Sequence, residues 1–281
     1  MADYDPGHPL GRLLAKLDRA DETMRTFDDE LRKVGHDKPL EVGIDVNFQS
    51  GWSAADVLRT QAIPASLGVL IGESLYHGRS VLEHLVWALV KANHKKPGEH
   101  NSFPIETTQG TRSFMEHHWR KAAGRDPGGK LRGVNKRAGA LIESLQPYKA
   151  PDPSVHFLAI LDAMAKDDRH RSLHASHVGG RAADYVPGRF VDLEPIFVPA
   201  RGYRIIEFTN LVRHGRGLVP GTKLARFRVE PLTRENKVGV KGDIPTFIAF
   251  GNRQTGFIFA QDFKRLNAQL RKIIEPFEEF L

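Results

Sequence analysis

The chain has 281 residues, 40% of them hydrophobic and 27% charged, the proportions of a folded globular protein with enough chain for one large core or two modest ones. It contains no cysteine, which excludes disulfides, thiolate metal sites and cysteine nucleophiles. A formal net charge of +7 favours polyanionic partners where the charge clusters, and the charged opening "MADYDPGHPLGRLLAKLDRADE" holds no apolar run of signal-peptide or membrane-span length, so a cytoplasmic protein with no membrane partner is expected.

In chain order, residues 9–33 place Leu10, Leu13, Leu14, Leu17, Met24, Phe27 and Leu31 at helical spacing between charged flanks, which predicts an amphipathic helix. In "EVGIDVNF" the apolar Val42, Ile44, Val46 and Phe48 alternate, and the turn-like "QSGW" leads into "DVLRTQA", a β-hairpin over about 41–62. The longest helical signal covers about 65–94, with a core stripe of Leu67, Ile71, Leu75, Gly78, Leu82, Leu85 and Leu89. After the loop "HKKPGEHNSFPIETT", residues 110–123, 136–147 and 152–168 read as shorter helices, the last capped by Asp152 or Ser154 and carrying Phe157, Leu158, Leu161 and Met164.

From about 176 the character changes to short β-rich runs, "GRFVDLEPIFVP", "YRIIEFTN", "KLARFRVEP", "NKVGVKG" and "TFIAFG", before a closing helix with Leu266, Leu270, Ile273, Phe277 and Leu281. The fold class is therefore α+β: a helical, bundle-like region over 1–175 that holds the early hairpin, and a region of antiparallel strands plus a terminal helix over 176–281. A lone hairpin is nearly unstable, so it is expected to join the later strands and the two regions to pack as one unit.

The helix over 65–94 carries unusual chemistry. At 100° per residue with Arg79 at zero, the leucine stripe occupies about 240° to 340°. Opposite it stand Glu83, Tyr76, Trp87, Ser80, Glu73, His84 and His77, in that order from about 40° to about 160°. One account is a solvated face with Arg79–Glu83 and Glu73–His77 pairs at i, i+4. The other is a surface that meets a helix, a subunit or a base, as Tyr76 and Trp87 suggest.

The segment "RSVLEH" within that helix resembles the R-x4-6-H signature of the HEPN family, helical-bundle proteins many of which are metal-independent ribonucleases in toxin and antiphage systems. The resemblance implies Arg79 and His84 as the catalytic pair, RNA as substrate and 2',3'-cyclic phosphate ends as product, a homodimer, no cofactor, and a protein partner or antitoxin. Glu73, Tyr76, His77, Ser80, Glu83 and Trp87 would support the pair. This chain has Ser80 where the family commonly has a larger polar residue, and its β-rich third has no counterpart in a minimal four-helix HEPN domain. More broadly, "IGESLYHGRSVLEHLVWALV", "FPI" and "DDRHRSLH" are similar to a widespread group of bacterial proteins. In the chemistry so implied, a histidine titrating near neutrality moves a proton while an arginine steadies the phosphorane. Arg79 and His84 lie about 140° apart on a straight helix, so two copies are expected to complete such a site.

A second cluster, "KDDRHRSLHASH", gathers Asp167, Asp168, Arg169, His170, Arg171, His174 and His177. If helical, His170, His174 and His177 share a face that could hold a divalent metal, although HExxH is absent and no metal is assigned. The same cations suit a helix C-terminus, or could add phosphate contacts to the first strip with Asp168 orienting an arginine or a histidine. A third element is the basic stretch of Arg120, Lys121, Arg125, Lys130, Arg132, Lys136 and Arg137 around Asp126, fit for nucleic-acid backbone contact or simply for solvation. There is no P-loop, GxSxG or nucleotide-binding GxGxxG. Three functions stay open: a HEPN-like ribonuclease or RNA-binding protein, a non-catalytic interaction or scaffold protein, and a metal-dependent hydrolase built on the histidine cluster.

Overall fold

The computed structural model describes residues 7–34, 39–121, 128–170, 173, 175–180, 189–233, 238–241, 244–252 and 256–281. The fold is mixed α+β, as the sequence predicts. Its helices are α1 (Pro9–Lys33), α2 (Ala65–Ala92), α3 (Phe114–Trp119), α4 (Lys136–Ser144), α5 (Phe157–His170) and α6 (Ala260–Ile274). Its strands are β1 (Leu40–Asn47), β2 (Trp52–Thr60), β3 (Ala175–Gly179), β4 (Phe197–Pro199), β5 (Arg204–Asn210), β6 (Lys223–Glu230), β7 (Val238–Val240), β8 (Thr246–Asn252) and β9 (Gly256–Phe259). Among the described residues, no helix is long and apolar enough to cross a membrane.

Two compact units form, and neither is continuous in sequence. The first combines Met1–Glu30, Gly68–Leu173 and Gln261–Leu281; the second combines Leu31–Leu67 and His174–Ala260.

The first unit is helical. The expected stripe of α2 is wholly buried at Ile71, Leu75, Leu82, Leu85 and Leu89. Its member without a side chain, Gly78, lets neighbouring helices approach: a Cβ there would lie 2.9 Å from Leu270 of α6 and 3.5 Å from Leu161 of α5. Helix α1 contributes Leu10, Leu13, Leu17, Met24 and Phe27 to the core. A polar staple holds it to α6, in which the Arg271 guanidinium reaches Asp18 at 2.7 Å and Asp21 at 2.6 Å while Asn267 donates to Asp21.

Three helices are shorter or later than the periodicity predicts, each for a local reason. Ser113 and Glu116 form a capping box that starts α3 at Phe114. It stops at Trp119 because the chain turns extended, Leu131 N–H donating to the His118 carbonyl and Gly129 N–H to that of Arg120. Asn135 caps α4, which ends at Ser144 before Pro147 opens a 3-10 turn. A second 3-10 turn capped by Asp152 delays α5 to Phe157.

The second unit is built on antiparallel sheets. The hairpin of β1 and β2 joins the later strands as expected, in the order β1-β2-β6-β5. Asn47 makes its turn, the side-chain carbonyl accepting from Gln49 and Ser50 N–H, and Gly51 supplies the positive φ of 73°. Strands β3-β8-β9 form a second sheet and β4-β7 a two-stranded one. The core gathers Val57, Leu193, Phe197, Leu224 and Phe227, with Phe208 stacked on Phe227 at 5.8 Å between ring centroids.

Candidate functional site

The strip on α2 divides into two kinds of chemistry. One is architectural. The Arg79 guanidinium, only 18% exposed, lies 2.7 Å from a Glu83 carboxylate oxygen and 3.3 Å from Asp162 of α5, and it donates to the Phe103 carbonyl at 3.1 Å. The other oxygen of Glu83 accepts from the Phe103 N–H at 3.1 Å. Arginine and glutamate one helical turn apart thus grip both backbone groups of Phe103, whose side chain is wholly buried. Burial raises the Glu83 pKa above the ordinary carboxylate value, and the Arg79 charge opposes that rise.

His84 belongs to a different side of the helix, where burial lowers its pKa and Lys16 of α1 lowers it further. His77 is lowered in the same way by burial and by Lys16 and Arg19, with Glu73 opposing. Its ring meets Tyr76 edge-on at 5.9 Å, and its Nδ1 is buried with no hydrogen-bond partner among the described residues. Arg79 is therefore turned toward α5 and the Phe103 loop while His84 feels Lys16 of α1. Among the described residues, one copy of the chain does not bring this pair to a common partner.

The remainder of the strip faces solvent. Tyr76 is 64% exposed and Trp87 43%, and Val69, on the same face by helical geometry, is 59% exposed. Glu73 is exposed beside them and Ser80 is half-buried. The contiguous face expected opposite the leucine stripe is present, with its aromatic centre in water.

The second cluster is not one helical face. Helix α5 ends at His170, and His177 lies in β3, paired across from Ile248 of β8, so its backbone serves a sheet ladder. There it is buried, with Nε2 3.0 Å from the Gln61 carbonyl oxygen. The condition under which His177 would share a helical face with His170 and His174 is therefore not met, because His177 stands in a strand. The side chain of His170, and Arg171 and His174 altogether, lie outside the described residues. Asp168 packs its carboxylate on Gly72 of α2, where an added Cβ would come within 2.5 Å, and burial raises its pKa. Arg169 donates from Nε to the Ala165 carbonyl of its own helix.

The basic stretch disperses. Lys121, Arg132 and Lys136 are exposed, and Arg125 lies outside the described residues with Asp126. Arg137 turns to Glu279 at 3.8 Å and lies over the Phe280 ring at 5.7 Å. Arg120 and Lys130 line a common cavity, beside His117 and His118.

Two partners of the α2 chemistry escape sequence reasoning, Asp162 and the Phe103 backbone. Both reach Arg79 only through tertiary packing, and neither carries a motif. Compared with models of known protein families, with curated proteins and with solved structures, the chain finds no match.

Proposed function

We propose that this chain acts by protein–protein association through the solvent face of α2, with a second copy as its partner. The observation that carries the reading is the exposed stripe of Val69, Tyr76 and Trp87 on a helix whose opposite side is fully buried. Large aromatic surface of this kind is typical of interface centres. The exposed Glu73 beside these side chains suits a protein partner better than a phosphate backbone.

The reading also absorbs the R-x4-H pair. To act on RNA, Arg79 would have to leave Glu83, Asp162 and the Phe103 carbonyl, and only a second copy could complete the pair with His84. Association through α2 needs neither change, and so is the better supported of the two.

The test is the mass in solution at micromolar concentration, by light scattering after gel filtration, for wild type and Trp87→Lys. A wild-type dimer that becomes a folded monomer in the variant supports the reading. A monomeric wild type, or a dimer indifferent to the substitution, refutes it. Incubating the same samples with RNA in EDTA tests the ribonuclease expectation separately, since His84→Ala would abolish metal-independent cleavage.

A further inference from the structure

A group outside the α2 strip brings three metal-ligating side chains together at a solvent cavity. Glu106, His117 and His118 each offer one donor atom, and the three atoms lie within 4.8 Å of one another. Two cavities, of about 360 and about 390 Å3, share His117, His118 and Arg120 in their walls. Lys130 lines the first, and Glu106 and Tyr148 line the second.

The donors are held with unusual care for a surface loop. The Glu106 N–H donates to the Gln146 side-chain carbonyl at 2.9 Å, and the Glu106 carbonyl accepts from Tyr148 N–H at 3.1 Å. Gln146 is itself buried and donates to the Pro104 and Ile142 carbonyls. Upstream, Arg79 and Glu83 hold Phe103. On the other side His118 lies edge-on to Phe114 at 4.4 Å between centroids, and Trp119 donates to the Val134 carbonyl. The last turn of α3 passes so close to residue 129 that a Cβ there would lie 2.1 Å from the His118 carbonyl oxygen, which only glycine allows.

His118 itself is hard to explain as core. It is 1% exposed, and its Nδ1 is buried with no hydrogen-bond partner among the described residues. A buried polar atom left unpaired costs about 1–3 kcal/mol, so a purely structural role would favour an apolar residue here. The Nε2 of His118 stands 3.4 Å from a Glu106 oxygen, longer than an ordinary N–H···O bond. Zinc bonds of about 2.0–2.2 Å in tetrahedral geometry separate two ligand atoms by about 3.4 Å. The pair already stands at that spacing, and the exposed His117 ring meets that of His118 edge-on at 4.7 Å between centroids.

We propose that Glu106, His117 and His118 form a binding site for a divalent transition ion of the zinc class, its remaining coordination open to the two cavities. Two histidines and a carboxylate with an open position are the ligand set of catalytic zinc centres, whereas four-ligand structural sites are closed. Arg120 and Lys130 in the cavity wall place positive charge beside that open position, where an anionic group would bind the ion. This site is independent of α2 association.

The experiment is calorimetric titration of Zn2+ alone into full-length protein stripped with EDTA and dialysed free of it, for wild type, His117→Ala and Glu106→Gln, with His156→Ala as a control histidine outside the cluster. His117 is exposed and Glu106 half-buried, so these variants are expected to fold, and circular dichroism checks that they do. The expected result is one ion per chain in wild type and control, with affinity reduced by at least about tenfold in either site variant. Cobalt loading gives a second readout, a visible absorption band of tetrahedral Co2+ that is lost in His117→Ala. No saturable binding by wild type, or binding equally strong in folded His117→Ala and Glu106→Gln, overturns the proposal.

Discussion

Replacing Gly139 by alanine tests the packing that holds α3 in place. In most helices this change stabilises by about 1 kcal/mol, because alanine restricts the unfolded chain and favours the helix. At Gly139 the added Cβ would lie 1.9 Å and 2.1 Å from two carbons of the Trp119 ring, where carbon atoms need about 3.5–4.0 Å. The indole has to retreat and its 3.1 Å hydrogen bond to the Val134 carbonyl breaks. Overpacking costs about 1–3 kcal/mol and the lost bond about 1 more, against the helix gain of about 1, so net destabilisation of about 1–3 kcal/mol is expected. Urea unfolding followed by circular dichroism measures it, and Ala140→Gly at the exposed neighbouring position calibrates the propensity effect alone. Since α3 carries His117 and His118, zinc affinity should fall in the same variant. A Gly139→Ala protein as stable as wild type, or more so, would refute the packing argument, because the sign itself is reversed.

Three further outcomes follow from other sites. Arg79→Met leaves Glu83 and Asp162 without their shared cation and Phe103 without its donor, and is expected to lower stability by about 2–3 kcal/mol; a thermal midpoint within a degree of wild type would contradict the clamp. Arg271→Ala removes the staple between α1 and α6, and with both aspartates partly solvated the loss should be only about 1 kcal/mol, weaker still at high salt. In the second unit, burial holds the folded pKa of His177 below its unfolded value near 6.5, opposed by its contact with the Gln61 carbonyl. The unfolded chain therefore binds the extra proton, so this contribution to stability is complete above about pH 6.5 and is lost as pH falls below it. His177→Gln should flatten the decline in urea midpoint between pH 7 and 5, and an unchanged slope would count against the assignment.

Much of the fold was legible because its signals are local. Apolar spacing of three and four marks α1 and α2 nearly to the residue, and strict alternation marks the hairpin, since side-chain direction repeats every 3.6 or 2 residues whatever the surroundings. Shorter helices were read too long, because their ends depend on caps and on backbone pairing with distant segments, such as Gly129–Leu131 with residues 118–120. For the same reason the state of β3 was left conditional, a shared histidine face following only if the stretch were helical: a ladder with β8 decides it, and no local pattern in "LHASH" announces one.

The α2 strip was legible as a face but not as roles. Sequence by itself determined which residues share the outer side of that helix. Tertiary structure decided that Arg79 and Glu83 serve Phe103, that His84 and His77 answer to Lys16, and that Tyr76 and Trp87 remain in water. It also decided that Glu106, His117 and His118, unremarkable in "FPIETT" and "MEHHW", stand together at one cavity. Periodicity is a property of the backbone, readable along the chain, whereas a site is a coincidence of side chains from separate segments, created only when burial and hydrogen bonds fix those segments against one another.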